Sequence, residues 1–314
     1  MRYGYWFSGC LVCLVSSLVT SFSFASIAQA QVSVEKILIA QSKPQPPSQP
    51  KTPAKLETPD QLLERGSAFI RFGNLDGAIT SFRAALAQKP DFTAAHYNLG
   101  LALAQSGKLP EAIESFRRVT QLDPNFAIAY SNLGAAYLQI NNLPESIESL
   151  QKAIKLDPKL AIGHYNLGLA LKQQGDIPGA IDSLRQALKL YPNSPETNYN
   201  LGLLIQAKGD FNESVTLYRR SIELNPNYAE AQYNLGAAVL LQGKIDESIE
   251  ALQQATKLKK DYANAHYTLG IALAKAGKKQ EAIESFIRAK ALFNLQQNPQ
   301  WASRSEQQIQ RLRS

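Results

Sequence analysis

No cysteine follows residue 30. Cys10 and Cys13 both precede it, so the rest of the chain can neither close a disulfide nor offer thiolates to a metal ion. Histidine is almost as scarce: His96, His164 and His266 are the only three, and successive ones stand 68 and 102 residues apart, both multiples of 34. That spacing puts them in different layers of a repeating structure, too far apart to share a metal, and assigns them to packing. The net charge of +7 also shrinks on inspection, because only +2 of it falls on residues 59–296, which leaves no electrostatic footprint for nucleic acid. A phosphate-cradling glycine loop, a nucleophile elbow and a zinc signature are all missing, and Ser106-Gly107-Lys108 belongs to a turn. Glu111, Glu145, Glu213, Glu247 and Glu281 recur in the first turn of a helix, where the helix dipole accounts for them. They do not converge as a general acid and base must. The sequence therefore offers no catalytic residue, no cofactor site and no metal site, and an enzyme is the least favoured reading.

What the sequence has is a period. Gly66, Gly100, Gly134, Gly168, Gly202, Gly236 and Gly270 fall 34 residues apart without an insertion or deletion. Seven units result, at 59–92, 93–126, 127–160, 161–194, 195–228, 229–262 and 263–296. In the second unit Leu99, Gly100 and Leu103, and then Ala112, Ile113, Phe116 and Val119, recur at the three-and-four spacing of amphipathic helices. Each unit is thus a pair of short helices. Gly73, Gly107, Gly175, Gly209, Gly243 and Gly277, with Asn141 standing in once, mark the turn between them, because glycine and asparagine adopt the left-handed backbone at low cost. Asn74, Asn142, Asp176 and Asp210 follow as candidate caps, and Pro110, Pro144 and Pro178 sit in the next first turn, where a missing N–H costs nothing. Gly100 and Ala112 let the two helices of a unit approach closely. One helix pair cannot bury its own apolar stripe, so neighbouring units must stack into a solenoid.

The order of residues at positions 4, 7, 8, 11, 20, 24, 27 and 32 of each unit resembles the tetratricopeptide repeat (TPR) family. Leu99, Gly100, Leu103, Ala112, Phe116, Val119 and Pro124 carry the likeness in one unit, and Leu133, Gly134, Tyr137, Ser146, Leu150, Ala153 and Pro158 in the next. The resemblance implies an all-α, right-handed superhelix of helix pairs whose concave surface binds a protein or peptide. It implies no chemistry. Arg65, Lys260 and Asn294 depart from the pattern, the first and last in terminal units that lose a neighbour.

The flanks differ from the array. Residues 1–30 begin with Arg2, continue through the apolar LVCLVSSLV and end in Ala28-Gln29-Ala30, the form of a cleaved signal peptide. Export to a periplasm, an organelle lumen or the medium is expected. The alternative is an uncleaved anchor over residues 5–28, which alone would give membrane association. Residues 31–58 are rich in Gln, Pro, Ser and Lys and read as a disordered spacer. Residues 297–314 read as a capping helix that turns Trp301, Ile309 and Leu312 toward the seventh unit.

Asparagine is the recurrent polar feature that core packing does not explain. Asn98, Asn132, Asn166, Asn200 and Asn234 hold the sixth position of five consecutive units, beside Tyr97, Tyr165, Tyr199 and Tyr233 at the fifth, where unit 3 has Ser131 instead. The family resemblance implies that positions 2, 5, 6, 9, 12 and 13 line the groove, which adds Leu101, Leu169 and Leu203 to the candidates. An asparagine there can donate to and accept from the backbone of an extended partner, and tyrosine adds apolar area with a polar tip. Hydrogen bonding between units explains the ladder equally well, and both readings stay open. The second, fifth and sixth positions lack the lysines and arginines that grip an acidic carboxy terminus in members of the family. A non-enzymatic protein-interaction scaffold, exported and without a cofactor, is the leading reading; a self-associating structural protein is the alternative.

Overall fold

The computed structural model describes residues 57–314. The signal segment 1–30, the alternative anchor 5–28, both cysteines and the spacer up to residue 56 lie outside the described residues. Fifteen helices occupy the described residues, in two compact units that divide at residue 193.

The first unit, as far as residue 192, holds α1 (Pro59–Arg71), α2 (Leu75–Gln88), α3 (Thr93–Gln105), α4 (Leu109–Leu122), α5 (Ala127–Gln139), α6 (Leu143–Leu156), α7 (Ala161–Gln174) and α8 (Ile177–Leu190). Each odd helix packs on the even helix that follows it, and each even helix on the next odd one. The local chemistry explains the boundaries. Asn141 adopts φ 60° at the turn after α5, the place that Gly175 fills at φ 94° after α7. Asn74 accepts from the Gly77 N–H at 2.9 Å and Asp176 from the Gly179 N–H at 3.0 Å, satisfying orphan donors at the starts of α2 and α8. Asn142 makes no such side-chain bond, and α6 begins with Pro144 in its first turn without it. Thr58 and Gln61 form a full capping box on α1.

The glycine at the eighth position is a contact point. A Cβ on Gly168 would lie 2.7 Å from Leu184 Cγ and 3.2 Å from the Ala180 carbonyl oxygen, so α7 and α8 could not approach as they do with any side chain there. Serine in place of alanine at position 20 uses the same proximity: Ser146 Oγ donates to the Gly134 carbonyl at 2.7 Å. Two histidines serve the loops between units. His96 Nε2 donates to the Pro90 carbonyl at 2.7 Å and His164 Nε2 to the Pro158 carbonyl at 3.1 Å, each stapling the first turn of an odd helix to the chain that leads into it.

The second unit, residues 193–314 among those described, holds α9 (Pro195–Ala207), α10 (Phe211–Leu224), α11 (Ala229–Leu241), α12 (Ile245–Leu258), α13 (Ala263–Lys275), α14 (Lys279–Leu295) and α15 (Pro299–Arg313). It repeats the same hairpins and the same devices. Asp210 caps α10 through the N–H groups of Asn212 and Glu213, Ser248 Oγ donates to the Gly236 carbonyl at 2.8 Å, and His266 Nε2 donates to the Lys260 carbonyl at 3.2 Å. The final helix closes the stack. Trp301 meets Tyr267 edge-on with centroids 5.2 Å apart, Ala302 and Ile309 are buried against α14, and Lys290 pairs with Glu306 at 2.8 Å. This is the capping helix that the sequence implies.

Candidate functional site

The odd helices carry the candidate groove residues, and burial sorts them. Tyr97, Asn98, Leu101 and Leu203 are half-buried, with surface left for a partner. Asn132, Tyr165, Leu169, Tyr199, Tyr233 and Asn234 are buried, and Asn166 and Asn200 retain only 1% and 0% of their surface.

Hydrogen bonds account for much of that burial. Asn132 on α5 donates through Nδ2 to the Tyr97 hydroxyl on α3 at 3.1 Å. Asn234 on α11 repeats the contact with the Tyr199 hydroxyl on α9 at 3.2 Å, and also donates to the Glu230 carbonyl at 2.8 Å. Asn200 Nδ2 donates to the Glu196 carbonyl at 2.9 Å. Thus the tyrosine of one repeat and the asparagine of the next form a rung between stacked helices. The tyrosine rings are held from the other side by the residue at position 34: Tyr97 lies 5.1 Å from Phe126, Tyr199 4.8 Å from Tyr228 and Tyr233 5.0 Å from Tyr262, centroid to centroid. Burial raises the pKa of the Tyr233 phenol to about 12 and drives those of Tyr199, Tyr218 and Tyr262 higher still, so these hydroxyls stay protonated.

Three features of this face escape a reading that looks for what recurs. Lys172 stands at position 12 of α7, where α5 has Leu138, and burial lowers its pKa to about 8. Glu196 and Glu230 hold position 2 in the second unit, where α3, α5 and α7 have Ala94, Ile128 and Ile162. Lys259 Nζ sits 3.3 Å from Glu230 and 5.1 Å from the Tyr262 ring centroid, so that carboxylate is answered within the chain. Ser131, finally, interrupts the tyrosines. Each is a departure from the unit's own pattern at a fixed position, and an alignment of the seven units against one another exposes it.

Among the described residues no cluster of His, Cys, Asp and Glu is placed to hold a metal ion. No helix among them is long and apolar enough to cross a membrane. Profiles described as tetratricopeptide repeat match residues 63–127, and profiles described as TPR repeat match 136–175, 170–209, 206–243 and 238–277, together more than half of the chain. The chain belongs to the tetratricopeptide repeat family. Solved TPR structures match it as well. A chain of the APC/C hetero-tetramer Cut9–Hcn1 superposes with a TM-score of 0.62 at 19% identity, over 98% of this chain and 56% of that one. The pilF protein of Pseudomonas aeruginosa gives 0.60 at 19% identity, over 66% and 94%. MamA gives 0.48 at 28% identity, over 52% and 96%. The first two likenesses are of fold. The search of curated proteins gave no match. The TPR fold is in general a non-enzymatic scaffold, and membership of the family points to protein interaction.

Proposed function

We propose that the protein is an exported adaptor that holds an extended polypeptide along the odd-helix face of its TPR array. The observation that carries this reading is the half-buried surface of Tyr97, Asn98 and Leu101 on α3, which mixes apolar area with hydrogen-bonding groups. The other members of the candidate set, Asn132, Asn166, Asn200, Asn234, Tyr165, Tyr199, Tyr233 and Leu169, are buried on the odd helices of their own units. Export rests on residues 1–30 alone. Amino-terminal sequencing of the fractionated protein tests it, because a chain that keeps Met1 in a soluble cytoplasmic fraction defeats export.

The binding reading is tested by hydrogen exchange on the full chain with a partner recovered from its native compartment. Protection confined to α3, α5, α7, α9, α11 and α13 supports the face. Protection on the even helices alone overturns it.

Self-association is a second reading, favoured by the outer side of α14. Leu295 is 81% exposed and Ile287, two turns earlier on the same helix side, is 46% exposed. Light scattering across a concentration range, on the wild type and on Ile287→Lys, decides it: a mass that rises with concentration in the wild type and not in the variant favours association through this side.

A further inference from the structure

One rung of the ladder is broken. The step of 35 residues that joins Tyr97 to Asn132, and Tyr199 to Asn234, joins Ser131 on α5 to Asn166 on α7. A serine hydroxyl is too short to reach as a phenol does. Both side chains are almost wholly buried, and both are left with an unpaired atom: Ser131 Oγ and Asn166 Oδ1 make no hydrogen bond. Gln139 Nε2, two turns along α5 from Ser131, is also unpaired. Among the described residues four buried side-chain atoms lack a partner, and three of them lie on this one pair of packed helices.

Buried polar groups are nearly always paired, so a concentration of exceptions points to a missing partner. Local escape is open to these residues. Ser81, Ser115 and Ser305 all donate to the carbonyl four residues back, and Ser131 does not. The loss at this place extends past the hydroxyl. In units 2, 5 and 6 the phenol at position 5 packs on an aromatic ring at position 34, as Tyr97 does on Phe126; unit 3 has Ser131 and Leu160 there, and so lacks both rings. Tyr97 at that place is half-buried, while Tyr165, Tyr199, Tyr233 and Tyr267 are buried and Ser131 keeps none of its surface, so a ring enters at Ser131 only where α5 and α7 part.

We propose that the α5/α7 junction receives a tyrosine side chain of the bound polypeptide, whose phenol stands in for the one that unit 3 lacks. The hydrogen bonding matches: the phenol O–H donates to Asn166 Oδ1, and its oxygen accepts from Ser131 Oγ. A phenylalanine fills the same space without answering either atom, so the junction selects tyrosine over phenylalanine. This rests on the reading of the odd-helix face as the binding surface, and it adds to that reading a position and a side-chain preference.

The test uses the full chain and two small probes, p-cresol and toluene, which reproduce the side chains of tyrosine and phenylalanine. Amide chemical shifts are followed during each titration. The expected result is that p-cresol perturbs amides of α5 and α7 and binds roughly tenfold tighter than toluene, as hydrogen bonds to otherwise unpaired groups require. Ser131→Tyr, which supplies the phenol from within, abolishes that binding and raises Tm. Equal affinity for the two probes, perturbation elsewhere only, or unchanged p-cresol binding by a folded Ser131→Tyr overturns the proposal. Should Ser131→Tyr fail to fold, the pair Ser131→Ala and Asn166→Leu replaces it, and each is expected to bring the two probes to equal affinity; a preference retained in both overturns the proposal. With a recovered partner the two levels separate. Loss of affinity in Leu101→Asp but none in Ser131→Tyr leaves the groove standing and removes the tyrosine subsite, whereas no loss in either removes the groove reading itself.

Discussion

Asn132 reaches back 35 residues to hydrogen-bond the Tyr97 hydroxyl at 3.1 Å, joining α3 to α5. Asn234 does the same to Tyr199 at 3.2 Å. The contact is the simplest means by which one repeat senses the next, because it is made between first helices and involves neither loop. Solenoid stability is approximately a sum of unit and interface terms, and the rung belongs to the interface.

Asn234→Ala should therefore weaken the fold. It removes donors to two acceptors, the Tyr199 hydroxyl and the Glu230 carbonyl, in a buried setting, so a loss of about 1–3 kcal/mol is expected. Tyr199→Phe should cost less by itself, and the double variant should cost less than the two single changes together, since they share one bond. Urea melts of the four proteins measure this. Strict additivity would show that the pair is not coupled.

Gly168→Ala should destabilise the first compact unit by about 1–3 kcal/mol, the range for overpacking a well-filled contact. The added methyl meets Leu184 Cγ at 2.7 Å and must push α7 from α8. Hydrogen exchange should speed most in residues 161–192. A uniform change along α1–α8 would contradict a nearest-neighbour account of the array.

The helix hairpins were legible in the sequence because each rests on a residue whose backbone or size admits few substitutes. Gly175 at the left-handed turn, Pro178 in the first turn of α8 and Gly168 at the close contact each announce a local geometry. The asparagine ladder was less so. Position 6 fixes which side of an odd helix Asn132 occupies, but one side-chain rotation separates an amide offered to a groove from an amide turned to Tyr97. The tyrosine to which it turns is also 35 residues distant, and helical periodicity says nothing of that separation. Ser131 was legible only as an exception, and its meaning depended on a bond that had first to be seen at Tyr97.

Lys172 gives the array a pH dependence with a definite sign. Its pKa falls from 10.5 to about 8 because burial on α7 disfavours the ammonium. Below pH 8 both folded and unfolded chains carry the proton, and the folded state bears the full cost of the buried charge. As pH rises above 8 the folded chain releases that proton while the unfolded chain retains it, so stability increases, by up to about 2–3 kcal/mol near pH 10.5. The buried tyrosines of the second unit oppose this at the upper end. Burial raises the pKa values of Tyr199, Tyr218, Tyr233 and Tyr262, so above about pH 10 the unfolded chain ionises them first and stability is lost. Hydrogen exchange followed from pH 7 to 10 should show α7 and α8 gaining protection, after correction for the intrinsic rate, while α9 to α12 do not. Lys172→Met should be more stable than the wild type at pH 7 and should lose the rise between pH 8 and 10. An unchanged rise in that variant would assign the pH dependence to another group.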